Sequence, residues 1–228
     1  MHIFNRILNK LVSYKVNKIV FSKDIAKKMP IYCSWHVKWN GIKRDCIKIE
    51  SNDIYKGMIQ IGHDRIAEGL LGGKESVVSF EGDGCLIFKG KADLTQGISL
   101  RIADKAMLTI GNGIYTNGYC SIRCRKQITI GKGNMWGWNV MVMDSDGHPI
   151  CDKDKKVING NREITIGDDV WLGTDSRVLK GAIIPDGCIV GMCSVVTRKE
   201  KTKNAILVGS PAKAVKEGIT WGRGDFTK

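Results

Sequence analysis

His148 lies where an otherwise regular sequence pattern is interrupted, and it is the side chain best placed for proton transfer. It follows Asp144 and Asp146 and precedes Pro149, at the head of a polar stretch that runs to Arg162. The other three histidines lie outside the regular pattern: His2, His36 and His63. An imidazole is largely neutral at cytosolic pH and can therefore accept a proton. We expect His148 to be functional because it sits at the root of a loop.

The two aspartates before His148 have two interpretations. A nearby carboxylate can fix the tautomer of a basic imidazole and stabilise the imidazolium that forms, so Asp146 and Asp144 are candidates for that role. Either one could instead be a turn residue whose carboxylate caps backbone amides. The sequence leaves both interpretations open.

A repeat of six residues surrounds this segment and predicts the element that must position it. Aliphatic residues fall in register at Ile166, Leu172, Val178, Ile184, Val190 and Val196. The same phase occurs upstream at Ile110, Thr116, Ile122 and Ile128, and it continues with a shift of two at Ile130, Trp136 and Val142. Earlier strands are indicated at 47–49, 58–61 and 86–88. A period of six fits neither an α-helix nor a long strand.

A short strand followed by a tight turn explains the period. One apolar residue per repeat points to a shared axis, and the 27 glycines, with Asn and Asp, supply the turns. Three repeats then close a coil of roughly 18 residues, and the coils stack into a solenoid. The alternative is a β-sandwich with ordinary hairpin turns, which six consecutive in-register positions disfavour.

Residues 45–215 resemble the hexapeptide-repeat acyltransferases. The resemblance implies an all-β solenoid, a left-handed parallel β-helix. The left hand comes from the resemblance alone, since the usual crossover rule favours the right hand.

The segment 138–150 resembles the catalytic loop of family members that O-acetylate sugars of O-antigen or capsule. By this resemblance His148 is the general base. It takes the proton of an acceptor hydroxyl while the oxygen attacks the thioester carbonyl of an acyl-CoA, in a direct transfer without a covalent enzyme intermediate. Asn117 resembles the active-site Asn of the family, although it could be a turn residue.

The last coils resemble the CoA-binding signature of the family. Trp171 corresponds to a Trp near the reacting centre, although it could instead pack one coil on the next. The other cofactor-binding residues that the resemblance implies are Gly173, Gly191, Ser194, Thr197, Arg198 and Lys213. Small residues allow a thioester arm to lie close to the backbone, and cations offset phosphate charge.

The net charge of +13 belongs to the two ends of the chain. Residues 1–30 have seven basic side chains and one acidic one, and residues 197–228 have eight and three, which leaves +2 for residues 31–196. A nucleic-acid-binding protein would have a basic stripe on its folded body, so we expect no nucleic-acid partner. The eight cysteines include no CxxC pair and are expected to be reduced core or turn residues.

The N-terminal residues show helical spacing of apolar side chains with basic residues between them. We expect an amphipathic basic arm at 1–30, a β-helix domain at 31–203 with a catalytic loop at 148–163, and a C-terminal CoA-edge segment at 204–228. The arm either packs on the β-helix or a partner subunit, or it attaches to an anionic membrane surface through residues 1–22.

Together these features predict an acetyl-CoA-dependent O-acetyltransferase of a bacterial surface-polysaccharide sugar or its precursor. The resemblance implies a homotrimer with sites between subunits, and we expect a cytoplasmic protein, with membrane attachment through the arm as the second option. Two alternatives remain, an N-acyltransferase of an amino-sugar nucleotide and a non-catalytic β-helix binding module. No metal is expected, because a zinc hydratase on this fold needs several His from adjacent coils.

Overall fold

The fold is built from two N-terminal helices followed by short strands. The structure, a computed structural model, describes residues 2–63 and 75–222. In this part of the chain the helices are α1 (His2–Val20) and α2 (Lys23–Lys27).

The strands follow one another at short intervals. The first eleven are β1 (Ile31–Cys33), β2 (Val37–Asn40), β3 (Ile47–Ile49), β4 (Ile59–His63), β5 (Ser76–Phe80), β6 (Cys85–Phe88), β7 (Ala92–Thr95), β8 (Ser99–Ile102), β9 (Met107–Ile110), β10 (Ile114–Thr116) and β11 (Ser121–Cys124). The next eleven are β12 (Gln127–Ile130), β13 (Met135–Trp136), β14 (Met141–Met143), β15 (Ile164–Ile166), β16 (Trp171–Leu172), β17 (Arg177–Leu179), β18 (Ile183–Ile184), β19 (Ile189–Val190), β20 (Val195–Val196), β21 (Ile206–Gly209) and β22 (Ala212–Lys216).

Every third strand pairs in parallel, so the chain winds around three sheets. The first sheet has the order β1-β4-β7-β10-β13-β16-β19-β21-β22, the second β2-β5-β8-β11-β14-β17-β20, and the third β18-β15-β12-β9-β6-β3. Among these described strands, only the last pair, β21 with β22, is antiparallel. This three-sided parallel coil confirms the predicted all-β solenoid. We call the turn from the first to the second sheet the first corner, and the turn from the second to the third sheet the second corner.

The six-residue pattern forms the core. All six aliphatic residues from Ile166 to Val196 are buried, and so are Thr116 and Trp136 upstream. The register stacks them on one another, as in the pairs Leu172 with Val190 and Val178 with Val196, each eighteen residues apart. Burial of one such side chain contributes about 2 kcal/mol, so each stacked row stabilises the solenoid.

Left-handed turn residues mark the first corner of successive coils. Tyr119, Asn139, Asp175 and Cys193 have φ between 53° and 65°. A side chain other than glycine is uncommon in this conformation, although Asn and Asp tolerate it. The corner is therefore specified by turn chemistry as well as by the buried rows.

Helix α1 covers the N-terminal end of the solenoid. The Asn17 side chain donates to the Ile31 carbonyl at 2.7 Å and accepts from the Ile31 amide at 3.1 Å. The Cys33 amide donates to the Ser13 hydroxyl at 2.9 Å. These bonds satisfy the free edge of β1, which would otherwise be open to pairing with another chain. Among the described residues, no helix is long and apolar enough to span a bilayer.

The cysteines occupy core and turn positions. Cys33, Cys46, Cys120, Cys124 and Cys188 are buried, and Cys85 is half-buried. Cys151 and Cys193 are exposed, and none of the eight forms a disulfide in the described chain.

Candidate active site

The interrupted repeat forms a loop that leaves the second corner. The chain departs after β14 and rejoins the solenoid at β15, and Val142 pairs with Val178 across the insertion at thirty-six residues instead of eighteen. Within the loop the Ile158 amide donates to the Ile150 carbonyl at 2.8 Å, and Cys151 and Val157 form an antiparallel bridge. The loop is thus a hairpin with its own main-chain hydrogen bonds.

Asp144 anchors the root of this loop. The residue is fully buried, and its carboxylate accepts from the backbone amides of Arg125, Lys126 and Gln127 at 2.7–2.9 Å. These amides belong to the second corner of the preceding coil. The structure gives Asp144 the second of its two predicted roles, a cap of backbone amides, and does not bring its carboxylate to His148.

The same carboxylate also affects the protonation of the neighbouring Cys124 thiol. Burial, and next the Coulomb interaction with Asp144, raises the pKa of the Cys124 thiol to about 12. Its sulfur lies 3.8 Å from Asp144 Oδ2. Cys124 therefore stays protonated and can donate to the carboxylate, and it is no candidate for a nucleophile.

Asp146 belongs to a network that clamps the loop. Its Oδ2 accepts from Lys180 Nζ and from Asn159 Nδ2, the latter at 2.7 Å. The hydrogen bond from Lys180, and next the one from Asn159, lowers the pKa of Asp146 below its usual value. Lys180 also donates to the Asn159 carbonyl at 2.9 Å. An ionised Asp146 thus ties the loop to the turn that follows β17.

Asn159 holds the backbone on both sides of Pro149. Its amide group donates to the His148 carbonyl at 2.9 Å, and its carbonyl oxygen accepts from the Ile150 amide at 2.7 Å. Together with the bond to Asp146, a single side chain makes three hydrogen bonds within the loop. Asn159 thereby sets the position of the His148 backbone.

His148 itself is exposed and lines a pocket of about 260 Å³. The pocket is lined by Arg125, Asp146, Gly147, His148, Pro149, Val157, Asn159, Gly160 and Asn161. Within the described ranges the imidazole forms no hydrogen bond, and neither aspartate contacts the ring. It is open to a ligand that enters the pocket.

Asn117 lies at the first corner, just after β10. Its side-chain oxygen accepts from the Tyr115 hydroxyl at 3.2 Å, and its backbone amide donates to the Trp136 carbonyl at 2.9 Å. His148 follows the second sheet, whereas Asn117 precedes it. Along the chain a strand of the second sheet therefore lies between the corner that holds Asn117 and the corner that holds His148.

Gly173 and Gly191 lie on adjacent coils at this same first corner. A Cβ on Gly173 would lie 2.7 Å from the Val190 carbonyl oxygen, and one on Gly191 would lie 2.7 Å from a Val208 methyl. Gly173 is therefore needed for coil stacking, whereas a side chain at position 191 would require the Val208 side chain to move. Ser194 is also buried, and its hydroxyl accepts from the Gly209 amide at 3.0 Å.

The predicted phosphate contacts lie at the C-terminal end. Thr197 and Arg198 are exposed after β20, at the second corner, and Lys213 is exposed on β22 in the first sheet. Arg198 and Lys213 make no ion pair with any described residue. Their cationic groups are thus available to an anion.

Trp171 is on the outer face of the first sheet and 38% exposed. Its ring lies 6.0 Å from the ring of Trp221, whose Nε1 donates to the Asp169 carbonyl at 2.7 Å. Trp138, also 38% exposed, is at the first corner between Gly137 and Asn139. Exposed indoles of this kind can pack against a ligand or a second subunit.

Two other histidines, His63 and His36, pack against aromatic rings. The His63 ring stacks on Tyr32 at 4.8 Å, and His36 lies 3.8 Å from Trp35. Within residues 2–63 and 75–222, no three His, Cys, Asp or Glu side chains are grouped so as to hold a metal ion.

Sequence reasoning missed Asn159, Lys180, Trp138 and Trp221. Asn159 and Lys180 hold the loop where it folds back on the coil. The six-residue pattern does not indicate how an insertion folds back, so it could not predict these two residues. Trp138 stood inside the segment that resembles a catalytic loop, and its position at a turn could have singled it out.

Comparison with known proteins agrees with this architecture. The family described as bacterial transferase hexapeptide (six repeats) matches residues 163–198. An uncharacterized 24.8 kDa protein in the cps region of Klebsiella pneumoniae is 30% identical over 90% of this chain and 84% of its own length. The polysialic acid O-acetyltransferase of Escherichia coli O1:K1 is 32% identical over 60% of this chain, which spans only 42% of that protein.

A solved structure shows the same fold. The crystal structure of the polySia-specific acetyltransferase NeuO superimposes with a TM-score of 0.60 at 24% identity, over 87% of this chain and 80% of that one. This agrees with the left-handed β-helix expected from the resemblance. The six-residue rows, the three parallel sheets and these matches establish that the chain belongs to the hexapeptide-repeat transferases.

Proposed function

We propose that the protein is an acetyl-CoA-dependent O-acetyltransferase that modifies a hydroxyl of a bacterial surface-polysaccharide sugar or its precursor. The observation that carries this proposal is His148, an exposed residue on a hydrogen-bonded loop that lines a pocket of about 260 Å³. The E. coli relative is named for O-acetylation of polysialic acid, which supports a sugar hydroxyl as acceptor.

His148 acts as the general base. Bound acetyl-CoA would supply an acetyl group activated as a thioester. His148 accepts the proton of the acceptor hydroxyl as its oxygen bonds to the acetyl carbon, and the imidazolium returns that proton to the departing sulfur. Asp146 and Asn159 keep the loop in place but do not touch the ring, so they are positioning residues.

The C-terminal coils fit an elongated anionic ligand such as CoA. Arg198 and Lys213 are exposed cations without ion-pair partners in the described chain, which suits phosphate groups. Trp171 offers an exposed apolar surface near the first corner. The buried Ser194 and the stacked Gly173 and Gly191 shape the corner backbone.

A homotrimer would complete the site. His148 belongs to the second corner, whereas Asn117, Gly173 and Gly191 belong to the first corner, and the second sheet separates the two. Packing the second corner of one subunit against the first corner of the next would join them, and a head-to-tail contact of this kind closes into a ring.

Subunit mixing tests this arrangement. We expect His148→Ala and Asn117→Ala to be inactive alone. If each site uses His148 of one subunit and Asn117 of its neighbour, then mixed trimers from equal amounts have both groups intact in one quarter of their sites. About one quarter of wild-type turnover should therefore return on mixing, whereas no recovery would place both groups in one subunit.

The reaction is tested by acetyl-CoA turnover against a panel of hydroxyl sugars and amino-sugar nucleotides. His148→Ala should lower turnover by about 10²–10⁴-fold and leave CoA binding intact by calorimetry. His36→Ala is the control, since it removes a histidine that packs on Trp35. Wild-type rates in His148→Ala would refute the mechanism.

Two other outcomes identify the alternatives. Preference for an amine acceptor would favour N-acyl transfer to an amino-sugar nucleotide. Failure of the wild-type protein to bind CoA would favour a non-catalytic β-helix binding module.

We place the enzyme in the cytoplasm, where acetyl-CoA is available, and infer a peripheral contact with the inner membrane through residues 1–22. The exposed side chains of this segment, described below, support that location.

A further inference from the structure

The solenoid covers one face of helix α1 and leaves an apolar face uncovered. The covered face includes Ser13, Val16, Asn17 and Val20, which are buried against β1 and its surroundings. The opposite face consists of five residues at helical spacing, with 52–76% of each side chain exposed: Ile3, Phe4, Ile7, Leu11 and Tyr14. We call these five residues the apolar strip.

The hydrogen bonds on the covered face fix the direction of the apolar strip. Asn17 bonds to both polar groups of the Ile31 backbone, and Ser13 accepts from the Cys33 amide. The helix cannot rotate without leaving buried polar groups unpaired, which costs about 1–3 kcal/mol for each. The apolar strip therefore faces away from the solenoid in the isolated chain.

A basic cleft adjoins the C-terminal end of the apolar strip. It has a volume of about 500 Å³ and is lined by Tyr14, Lys18, Phe21, Lys23, Ala26, Lys27 and Arg44. Four of these seven residues are cationic, and none of the seven is acidic. None of the four forms an ion pair with a described residue.

The charge of α1 decides which partner suits the apolar strip. The helix contains Arg6, Lys10, Lys15 and Lys18 and no acidic residue. Two copies packed strip to strip would bring like charges together, which disfavours self-association. An anionic partner would be attracted by the basic residues of both the helix and the cleft.

Tyr14 belongs to the apolar strip and also to the cleft, so the two surfaces are continuous. A ligand that uses both must be apolar along one part and anionic at the adjoining end. A free anion would occupy the cleft and leave the strip in water. Phospholipids in an anionic bilayer have both parts, since acyl chains lie directly beneath the phosphate headgroups.

We propose that the apolar strip and the basic cleft form one membrane-docking site, in which the strip enters the acyl boundary of an anionic bilayer and the cleft binds a lipid phosphate headgroup. This location for headgroup binding goes beyond the proposed acetyl transfer, and no step of that reaction depends on it. Each basic residue near an anionic surface strengthens binding by about fivefold.

The test is co-sedimentation of the full chain with vesicles of phosphatidylcholine, and of phosphatidylcholine with phosphatidylglycerol in a two-to-one mixture. The double variant Lys18→Gln/Lys27→Gln removes two cleft charges and should weaken binding to the anionic vesicles by about 25-fold. Lys91→Gln/Lys105→Gln removes two exposed charges elsewhere and should weaken binding by less than about fivefold. Leu11→Ser should weaken binding to the anionic vesicles without altering the net charge.

The controls separate the rival occupants. Equal binding to both vesicle types, or equal losses in the cleft and Lys91/Lys105 variants, would overturn the proposal. Inorganic phosphate bound in calorimetry, with vesicle binding unaffected by Leu11→Ser, would identify a free-anion site instead. A smaller oligomer for Leu11→Ser in sedimentation velocity, without vesicle binding by the wild type, would identify a second copy as the partner.

Discussion

Replacement of Asn159 by Ala isolates the contribution of loop geometry to catalysis. The variant loses three hydrogen bonds, to Asp146 Oδ2, to the His148 carbonyl and from the Ile150 amide, at 2.7, 2.9 and 2.7 Å. A hydrogen bond contributes a net amount of about 1 kcal/mol, and the three lie in a solvent-accessible loop. We therefore expect the ordered conformation of the loop to lose about 2 kcal/mol of stability. If that loss appears in the activation free energy, it corresponds to a decrease in turnover of about 30-fold.

Steady-state acetyl-CoA turnover with the best hydroxyl acceptor measures this effect. The rate constant kcat should fall while KM for acetyl-CoA stays unchanged, because the Asn159 side chain bonds only to Asp146, His148 and Ile150, and to no residue predicted to bind the cofactor. The melting temperature should also stay within about one degree. Asn161→Ala is the matched control, since Asn161 lines the same pocket and makes no hydrogen bond among the described residues. It should change kcat by less than about threefold.

Two results would refute the reasoning. Wild-type kcat in Asn159→Ala would mean that the network does not position His148. A loss of melting temperature in proportion to the loss of rate would mean that Asn159 stabilises the solenoid as a whole.

Three further predictions follow from local geometry. Gly147 has φ of 82°, and no atom outside residues 146–148 lies within 4 Å of the position that a Cβ would take there. Gly147→Ala therefore adds backbone strain alone, about 1–2 kcal/mol, and turnover should fall about tenfold at unchanged melting temperature. Leu172→Ala removes a buried side chain of the stacked rows and should cost about 2–5 kcal/mol in free energy of unfolding by denaturant titration. Ellman's reagent at pH 8 should modify Cys151 and Cys193 rapidly and spare Cys124, whose pKa is raised to about 12, because only a thiolate reacts.

The solenoid could be predicted because one residue in six carries the signal. Leu172, Val178 and Ile184 face the axis on the successive strands β16, β17 and β18. Each coil adds eighteen residues in this part of the chain. Upstream each coil contains more residues: Leu94 pairs with Thr116, twenty-two residues away. Longer turns shift the phase between coils, which is why the earlier strands gave a weaker pattern.

The candidate site could be predicted only in part. His148 stood out because the repeat breaks beside it. The role of Asp144 depends on amides seventeen to nineteen residues earlier, on the preceding coil. Asn159 acts through a hairpin that has no periodicity. Contacts between coils and within insertions are set by three-dimensional stacking, which spacing along one repeat does not encode.

The root of the loop explains why activity and stability should be separable. The Arg162 amide donates to the Asp144 carbonyl at 3.1 Å, so a main-chain bond joins the residue where the insertion leaves to one near its return. The coils beside it keep their pairing, with Val142 directly opposite Val178. This bond therefore closes the base of the loop at the second corner. Substitutions within the loop should alter the position of His148 without loosening the stacked rows of the solenoid. Asp144 is the exception, because its carboxylate accepts hydrogen bonds from three backbone amides of the preceding coil. Asp144→Ala should therefore lower both turnover and melting temperature, whereas Asn159→Ala should lower turnover alone.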